Sequence, residues 1–451
     1  VIAIDGCHVA TVDPAGTEHA RGYVVLDGER IAAVGPGALP PQYAAAELVD
    51  GAGLLATPGL VNTHHHLYQW ITRGYAADDT LFGWLTALYP VWAGLDAELA
   101  YASAAANLGW LALTGCSTTT DHHYVFPAGR GGLLEATILA AREIGLRFHP
   151  GRGSMNLGRS SGGLPPDAVV EKHDDILAAT QAAIDRWHDP APGAMTRIAV
   201  APCSPFSVTA ELMRDCADLA RRAGVRLHTH LAETLDEEEF CLQTYGRTPA
   251  QYAEDLGWLG PDVWLAHCVH LSAEAVDRFA ATGTGVAHCP TSNGRLGSGI
   301  APVRALLQAG AFVGLGVDGA ASNESGRMIG ELHQAVLAAR FAGGPLALSV
   351  RAALRMATMG GARCLGRDGE LGSLEPGKLA DVALWQAGGL AGAGIADPVC
   401  TLVFGAPALE RLWVHGRPVV TGGELVTADA SALAAGAAAA SAQISRATSR
   451  P

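Results

Sequence analysis

The chain has 451 residues, 49 % of them hydrophobic and only 16 % charged, with a formal net charge of −14 at pH 7. Such a composition supports a large buried core and excludes a disordered chain. The negative balance disfavours nucleic acid or an anionic membrane face as a partner.

From the N-terminus, "VIAIDGCHVATVD" alternates like a strand and carries no basic leader, so no signal peptide is expected. "YVVLDGERIAAVG" has the hairpin pattern of an apolar run, Asp-Gly, and a second apolar run. The far end is β-rich again in "GSLEPGKLADVALW" and "LERLWVHGRPVVTGGEL". Two β-rich ends predict a composite β-sandwich domain built from residues 1–55 and 366–451. The alanine-rich "SALAAGAAAASAQISRATSR" reads as a surface helix, too short and too polar at its end to span a bilayer. The nine cysteines are an odd number with no Cys-x-x-Cys. That argues against a disulfide framework or zinc knuckle and for a reduced, cytoplasmic setting.

Residues 56–365 behave differently. Eight short apolar runs alternate with helical patterns such as "EATILAAREIG", "DILAATQAAIDRWH", "AELMRDCADLARRAG", "SAEAVDRFAATG" and "APVRALLQAG". The runs are "LATPGLVNTHHH", "CSTTTDHH", "LRFHPGRG", "RIAVAPCSP", "VRLHTHLAE", "VWLAHC", "TGVAHCP" and "FVGLGVDG". Eight βα units predict an α/β fold, the (β/α)8 TIM barrel, with its active site at the C-terminal strand ends. A doubly wound sheet would carry a glycine-rich phosphate turn after its first strand, and none is present.

Those strand ends are rich in histidine. Strand one ends in His64 and His66, strand two in Asp121, His122 and His123, and strand five in His228, His230 and then Glu233. His267, His288 and Asp318 end strands six, seven and eight. Ends that converge on one mouth predict a metal site. On a strand, residues two apart share a face. His64 and His66 therefore face inward together and His65 faces away. His228 and His230 also share a face, so periodicity alone leaves the strand-five ligand open. One of them with Asp318 completes three nitrogens and an oxygen, a catalytic type of site with room for water or substrate. The two lysines, Lys172 and Lys378, do not end barrel strands. A lysine-bridged pair of ions is thus disfavoured, and a single divalent ion is expected, zinc or alternatively iron(II).

Several ordered motifs resemble the amidohydrolase superfamily over essentially the whole chain. "PGLVNTHHH" looks like its opening motif, and "HTHLAET" like the His-[LM]-x-Glu of its metal-dependent deaminases. "LAHCV", "HCPTSN" and "GVDGAASN" match its later strand ends, and "LEPGKLADVALW" its return to the small β domain. Within the superfamily, "VNTHHHLYQ", "LRFHPGRGSMNLGRSSGGLPPD", "VAPCSPFSV", "YAEDLGWLGPDVWLAHCV" and "SGIAPV" are most similar to the 8-oxoguanine deaminases. Guanine and isocytosine deaminases and triazine hydrolases are related. "HCPTSNGRLGSG" departs from the pattern at Thr291 and Gly294, in a loop expected to border the pocket.

The resemblance implies that His230 is the strand-five ligand and that Asp318 both binds metal and shuttles protons. It implies hydrolytic deamination of a small oxo-amino heteroaromatic base, 8-oxoguanine-like, isocytosine or guanine, with release of ammonia. In that chemistry Glu233 protonates the ring nitrogen beside the attacked carbon, and His267 hydrogen-bonds the nucleophile or developing oxyanion. Gln69 offers a donor and an acceptor to the ring edge, and His-x-His-x-x-Gln resembles the guanine-type arrangement. His122, Arg152 and Tyr68 are further candidates for substrate contact. The alternatives are a triazine-type amidohydrolase or chlorohydrolase, an adenosine-derivative deaminase, and a ligand-binding barrel without catalysis. A homo-oligomer is expected.

Overall fold

The computed structural model describes residues 1–448. Eight parallel strands close on themselves: β1 (Leu60–Asn62), β2 (Cys116–His123), β3 (Arg147–Ser154), β4 (Ala199–Pro202), β5 (Arg226–Leu231), β6 (Val263–His267), β7 (Gly285–His288) and β8 (Phe312–Leu315). They are the eight apolar runs of the sequence, in order. Their residues are nearly all buried, as strands must be when helices cover one face and side chains fill the other. Closure falls where Leu315 pairs with Asn62. Asn62 reinforces that seam: its Oδ1 accepts from Val317 N at 3.0 Å and its Nδ2 donates to Thr119 at 3.0 Å.

The intervening helices follow the 3.6-residue periodicity. In the helix Ala210–Ala223, Leu212, Met213, Cys216, Leu219 and Ala220 are buried on one side, while Arg214, Arg221 and Arg222 are exposed on the other. Each fully buried leucine contributes roughly 1.5–3 kcal/mol through lost apolar exposure. Thr209 caps the first turn by accepting from Leu212 N, and Gly224 ends the helix at φ +68°, a conformation glycine adopts without strain.

The first apolar run serves two sheets. Leu55–Pro58 pairs antiparallel with Val382–Trp385 outside the barrel, and the chain then passes through Gly59 into β1. A Cβ on Gly59 would sit 2.3 Å from Ser117 Oγ, so the crossing requires glycine. The outer sheet has nine strands drawn from both termini. Its hairpin pairs Asp27 with Arg30 across Gly28, where the Asp-Gly signal placed it. The C-terminal helix Ala430–Thr448 buries Ala437, Ala440 and Ile444. The last residues of the segment expected to form it, 449 and 450, lie outside the described residues. All nine cysteines are free and eight are buried. Among the described residues no helix is long and apolar enough to cross a membrane.

A buried ion pair joins barrel and outer sheet. Arg147, fully buried at the start of β3, donates to both oxygens of Asp381 at 3.2 and 3.1 Å and to the carbonyls of Gly193 and Ala194. Removing one partner strands the other charge in a low dielectric. Asp381→Ala should therefore lower the unfolding free energy in urea by about 3–5 kcal/mol. A change below about 1 kcal/mol would show that the pair does not secure the junction.

Candidate active site

The strand ends bring a compact set of nitrogen and oxygen atoms together. His64 Nε2 and His66 Nε2 each lie 3.2 Å from Asp318 Oδ1. His66 Nε2 is 3.1 Å from His230 Nε2. The ligand atoms of His64, His230, His267 and Asp318 all lie within 4.8 Å of one another, as do those of His64, His66, His122 and His230, and every one of these residues is buried. His64 Nε2 is buried without a hydrogen-bond partner. Crowded, neutral imidazoles around one carboxylate suit a divalent ion of the zinc type, which would satisfy these atoms together. Burial pushes the pKa of His64 and His230 well below the ordinary imidazole value, which keeps both rings in the form that binds metal. The Asp318 carboxyl lies well below the usual carboxylate range although burial opposes that shift.

Each imidazole is aimed by its other nitrogen. His66 Nδ1 donates to His122 O at 2.7 Å and His230 Nδ1 to Cys203 O at 2.6 Å, so their Nε2 lone pairs face the centre. His228 sits beneath: its Nδ1 donates to Trp264 O at 2.8 Å and its Nε2 lies 2.8 Å from His64 Nδ1. Periodicity could not separate His228 from His230. Depth does, since His228 orients His64 while His230 reaches the centre. His65 faces away, as expected, and its Nδ1 bonds the Asp318 carbonyl at 2.5 Å.

Several of these strand ends leave through the left-handed region. Ala232, His267, Cys268 and Asp318 have φ of 52°, 69°, 50° and 61°. Non-glycine residues there carry strain of order 1–3 kcal/mol each, and such residues cluster at functional sites. The two oxygens of Asp318 face different partners. Oδ1 meets the histidines, while Oδ2 accepts from Ser292 Oγ at 2.6 Å and Ser322 Oγ at 3.2 Å and stands 3.9 Å from His267 Nε2. Neither serine was singled out from the sequence, because they lie 26 and 4 residues from Asp318, Ser292 on the short helix Pro290–Arg295 and Ser322 in a turn.

Glu233 Oε2 is 3.7 Å from His267 Nε2. Burial, and then the charge of Asp318, push its pKa well above the ordinary glutamate value, which favours the protonated carboxyl. Its backbone is clamped by fully buried Glu237, whose two oxygens accept from Ala232 N and Glu233 N, both at 2.9 Å. His267 Nδ1 bonds Asn293 Oδ1 at 2.9 Å; an amide oxygen accepts, so Nδ1 carries the proton and Nε2 faces the cavity as an acceptor.

His66, His230, Glu233, His267 and Asp318 line one narrow cavity at the barrel mouth. Trp84, Tyr89, Tyr124, Phe206 and Leu296 form much of its wall. Gln69 also lines it. Its Oε1 accepts from Ala321 N at 3.4 Å, whereas its buried Nε2, near the Tyr68 hydroxyl, makes no hydrogen bond. The amide thus presents a donor rather than both of its groups.

The model of the amidohydrolase family matches residues 55–419. The chain belongs to the amidohydrolase family. It is 46 % identical to the 8-oxoguanine deaminase of Pseudomonas aeruginosa over 93 % of this chain and 94 % of that enzyme. It is 38 % identical to an isoxanthopterin deaminase from an unknown prokaryotic organism, over 87 % of this chain and 86 % of that one. A crystal structure of an atrazine chlorohydrolase from Arthrobacter aurescens, complexed with zinc, superposes with a TM-score of 0.93 at 36 % identity, covering 98 % of this chain and 100 % of that one.

Other expected contacts of this amidohydrolase lie elsewhere. Arg152 does not line the cavity: its guanidinium donates to both oxygens of Glu171 at 2.9 and 2.6 Å and stacks over Phe126 at 3.9 Å. Gly151 and Gly153 take the tightly packed alternate positions of β3, where a Cβ on Gly151 would meet Ala201 Cβ at 2.9 Å. Period two then turns Arg152 away from them. His122 lies beside the metal-type cluster, stacked on His230 at 4.7 Å with Nε2 on the Ala201 carbonyl at 2.7 Å, and does not line the cavity. Tyr68 is fully buried against Trp92 and His123; Tyr124 reaches the cavity instead. Thr291 and Gly294 do not line it either; the segment expected to be a loop forms the short helix Pro290–Arg295, and Leu296 at its end does reach the cavity. Lys172 and Lys378 are remote from the mouth, at a helix start and on the carbonyls of Asp368 and Leu371.

Proposed function

We propose that this amidohydrolase hydrolytically deaminates an oxo-amino heteroaromatic base, 8-oxoguanine foremost, with one zinc ion held by His64, His66, His230 and Asp318. The observation that carries the reading is that Glu233, whose pKa is raised, lines one cavity with Asp318, His267 and Gln69, at the edge of the crowded His64, His66 and His230 cluster. Bound there, the ion acidifies water and so supplies the nucleophile at neutral pH.

The side chains supply the remaining steps. Asp318 Oδ2 takes a proton from the attacking water, whose other O–H donates to His267 Nε2. Glu233 gives its proton to the ring nitrogen beside the attacked carbon, so no full negative charge builds on the ring. Asp318 then passes its proton to the exocyclic amine, which leaves as ammonia. Glu233 recovers a proton from the new hydroxyl as the carbonyl forms. Gln69 Nε2 donates to a ring carbonyl, and Trp84 and Phe206 exclude water from the ring faces.

Ammonia release should be assayed over 8-oxoguanine, isoxanthopterin, guanine, isocytosine and hydroxylated or chlorinated triazines. The reading expects the highest kcat/KM on an oxo-amino base. Turnover confined to chlorinated or alkylaminated triazines would overturn it in favour of a triazine hydrolase. Gln69→Ala should lower kcat/KM for the preferred base roughly 10–100-fold, the worth of one buried hydrogen bond, with zinc content unchanged. Equal loss of zinc and activity would make Gln69 structural. A cytoplasmic homo-oligomer completes the reading; the free cysteines support a reducing compartment, and light scattering tests the assembly.

A further inference from the structure

A second cavity lies at the opposite end of the barrel, by the N-terminal ends of β3, β4 and β5. It encloses about 210 Å³ and is lined by His149, His188, Arg197 and Arg226, with apolar surface from Ile198 and Leu365. No carboxylate lines it. Every polar side chain it presents is a donor. His149 Nε2 accepts from Arg367 at 3.2 Å, so its Nδ1 carries the proton. His188 Nδ1 accepts from Ile198 N at 3.2 Å, so its Nε2 carries the proton.

The cations around this cavity are unevenly matched. Four guanidiniums, those of Arg367, Arg197, Arg147 and Arg226, act with burial to hold His149 well below the ordinary imidazole pKa. Arg147 is matched by Asp381 and Arg367 by Glu370 at 2.6 Å. Of the two arginines that line the cavity, Arg197 has only a long contact to a carboxylate and Arg226 bonds carbonyls alone. Arg226 donates only to the carbonyls of Cys364 and Pro261, at 3.1 and 2.6 Å. Arg197 donates to the Ala191 carbonyl at 3.0 Å, stands 3.7 Å from the already engaged Glu370, and leaves its buried Nε without a partner. The nearby Asp262 and Asp368 are paired with Arg221 and Arg363 at 3.0 and 3.8 Å, while Asp189, which accepts from Ala191 N, adds a negative charge near Arg197. Half-buried cations with no close carboxylate are costly, and guanidinium forks match the oxygens of a tetrahedral anion.

We propose that this cavity binds a tetrahedral oxyanion of the phosphate class, free or as the end group of a phosphomonoester, through Arg197, Arg226, His149 and His188. The site is remote from the deaminase centre and independent of the substrate reading. Its anion neutralises the donor cluster where the barrel chain leaves for the outer sheet, and so steadies that junction.

The zinc-loaded enzyme should be titrated calorimetrically with inorganic phosphate and, separately, with ribose 5-phosphate, against chloride at constant ionic strength. Saturable one-site binding of at least one is expected, the tighter ligand identifying the source. Arg197→Gln should weaken it at least 10-fold while leaving kcat on the base unchanged. Where that variant does not fold, crystals of the unaltered enzyme soaked in selenate should show an anomalous peak between Arg197 and Arg226. Absence of saturable binding by both ligands, undiminished binding by folded Arg197→Gln, or a selenate soak with no peak in this cavity would each overturn the proposal.

Discussion

Glu233→Gln is expected to lower kcat roughly 10²–10⁴-fold while zinc content and fold stay at the wild-type level. The variant keeps the shape of the side chain and the Glu237 clamp on its backbone, which acts through Ala232 N and Glu233 N. It removes only the proton that the ring nitrogen receives during attack. Because burial and the Asp318 charge raise the Glu233 pKa, the active, protonated form is lost as pH rises through that value. The wild-type rate should therefore fall on the alkaline side, and the residual rate of the variant should lack that limb. Elemental analysis with a coupled ammonia assay across pH checks both parts. A variant that released ammonia at the wild-type rate would remove Glu233 from the chemistry.

Asp318→Asn is expected to act differently, losing activity by roughly 10⁴-fold or more and metal affinity as well. Oδ1 lies against His64 and His66, and Oδ2 against His267 and the two serine hydroxyls. One substitution thus removes an anionic ligand and the proton shuttle together. An amide also places an N–H donor where Ser292 already donates. Dialysis against a chelator followed by metal analysis should show faster loss of zinc than in Glu233→Gln. Zinc retention equal to wild type would confine Asp318 to proton transfer.

The barrel was legible in the sequence because each strand is a short apolar run ending in a polar or special residue, and a parallel strand buried on both faces has to read that way. His64 and His66 were legible through period two. His230 was not separable from His228, because both face inward and only their depth in the barrel differs. For Arg152 the flanking glycines were visible in "PGRG", but their meaning depends on the neighbouring strand: Gly151 lies against Ala201, and Arg152 is left to face Glu171. The cavity wall was hidden for another reason. Trp84 belongs to a helix, Leu81–Trp92, whose periodicity describes a buried face without saying that it packs over the barrel mouth. Ser292, on the short helix Pro290–Arg295, and Ser322, in a turn, reach Asp318 only through tertiary geometry that no local pattern encodes.

The most direct test is to strip the enzyme of metal, add zinc back in steps, and measure ammonia released from 8-oxoguanine at each step. The account predicts no turnover without metal, a rate that rises linearly to equimolar zinc and then levels off, and one ammonia for each base consumed. Full ammonia release by the metal-free enzyme, or none at any zinc level from any oxo-amino base, would contradict it.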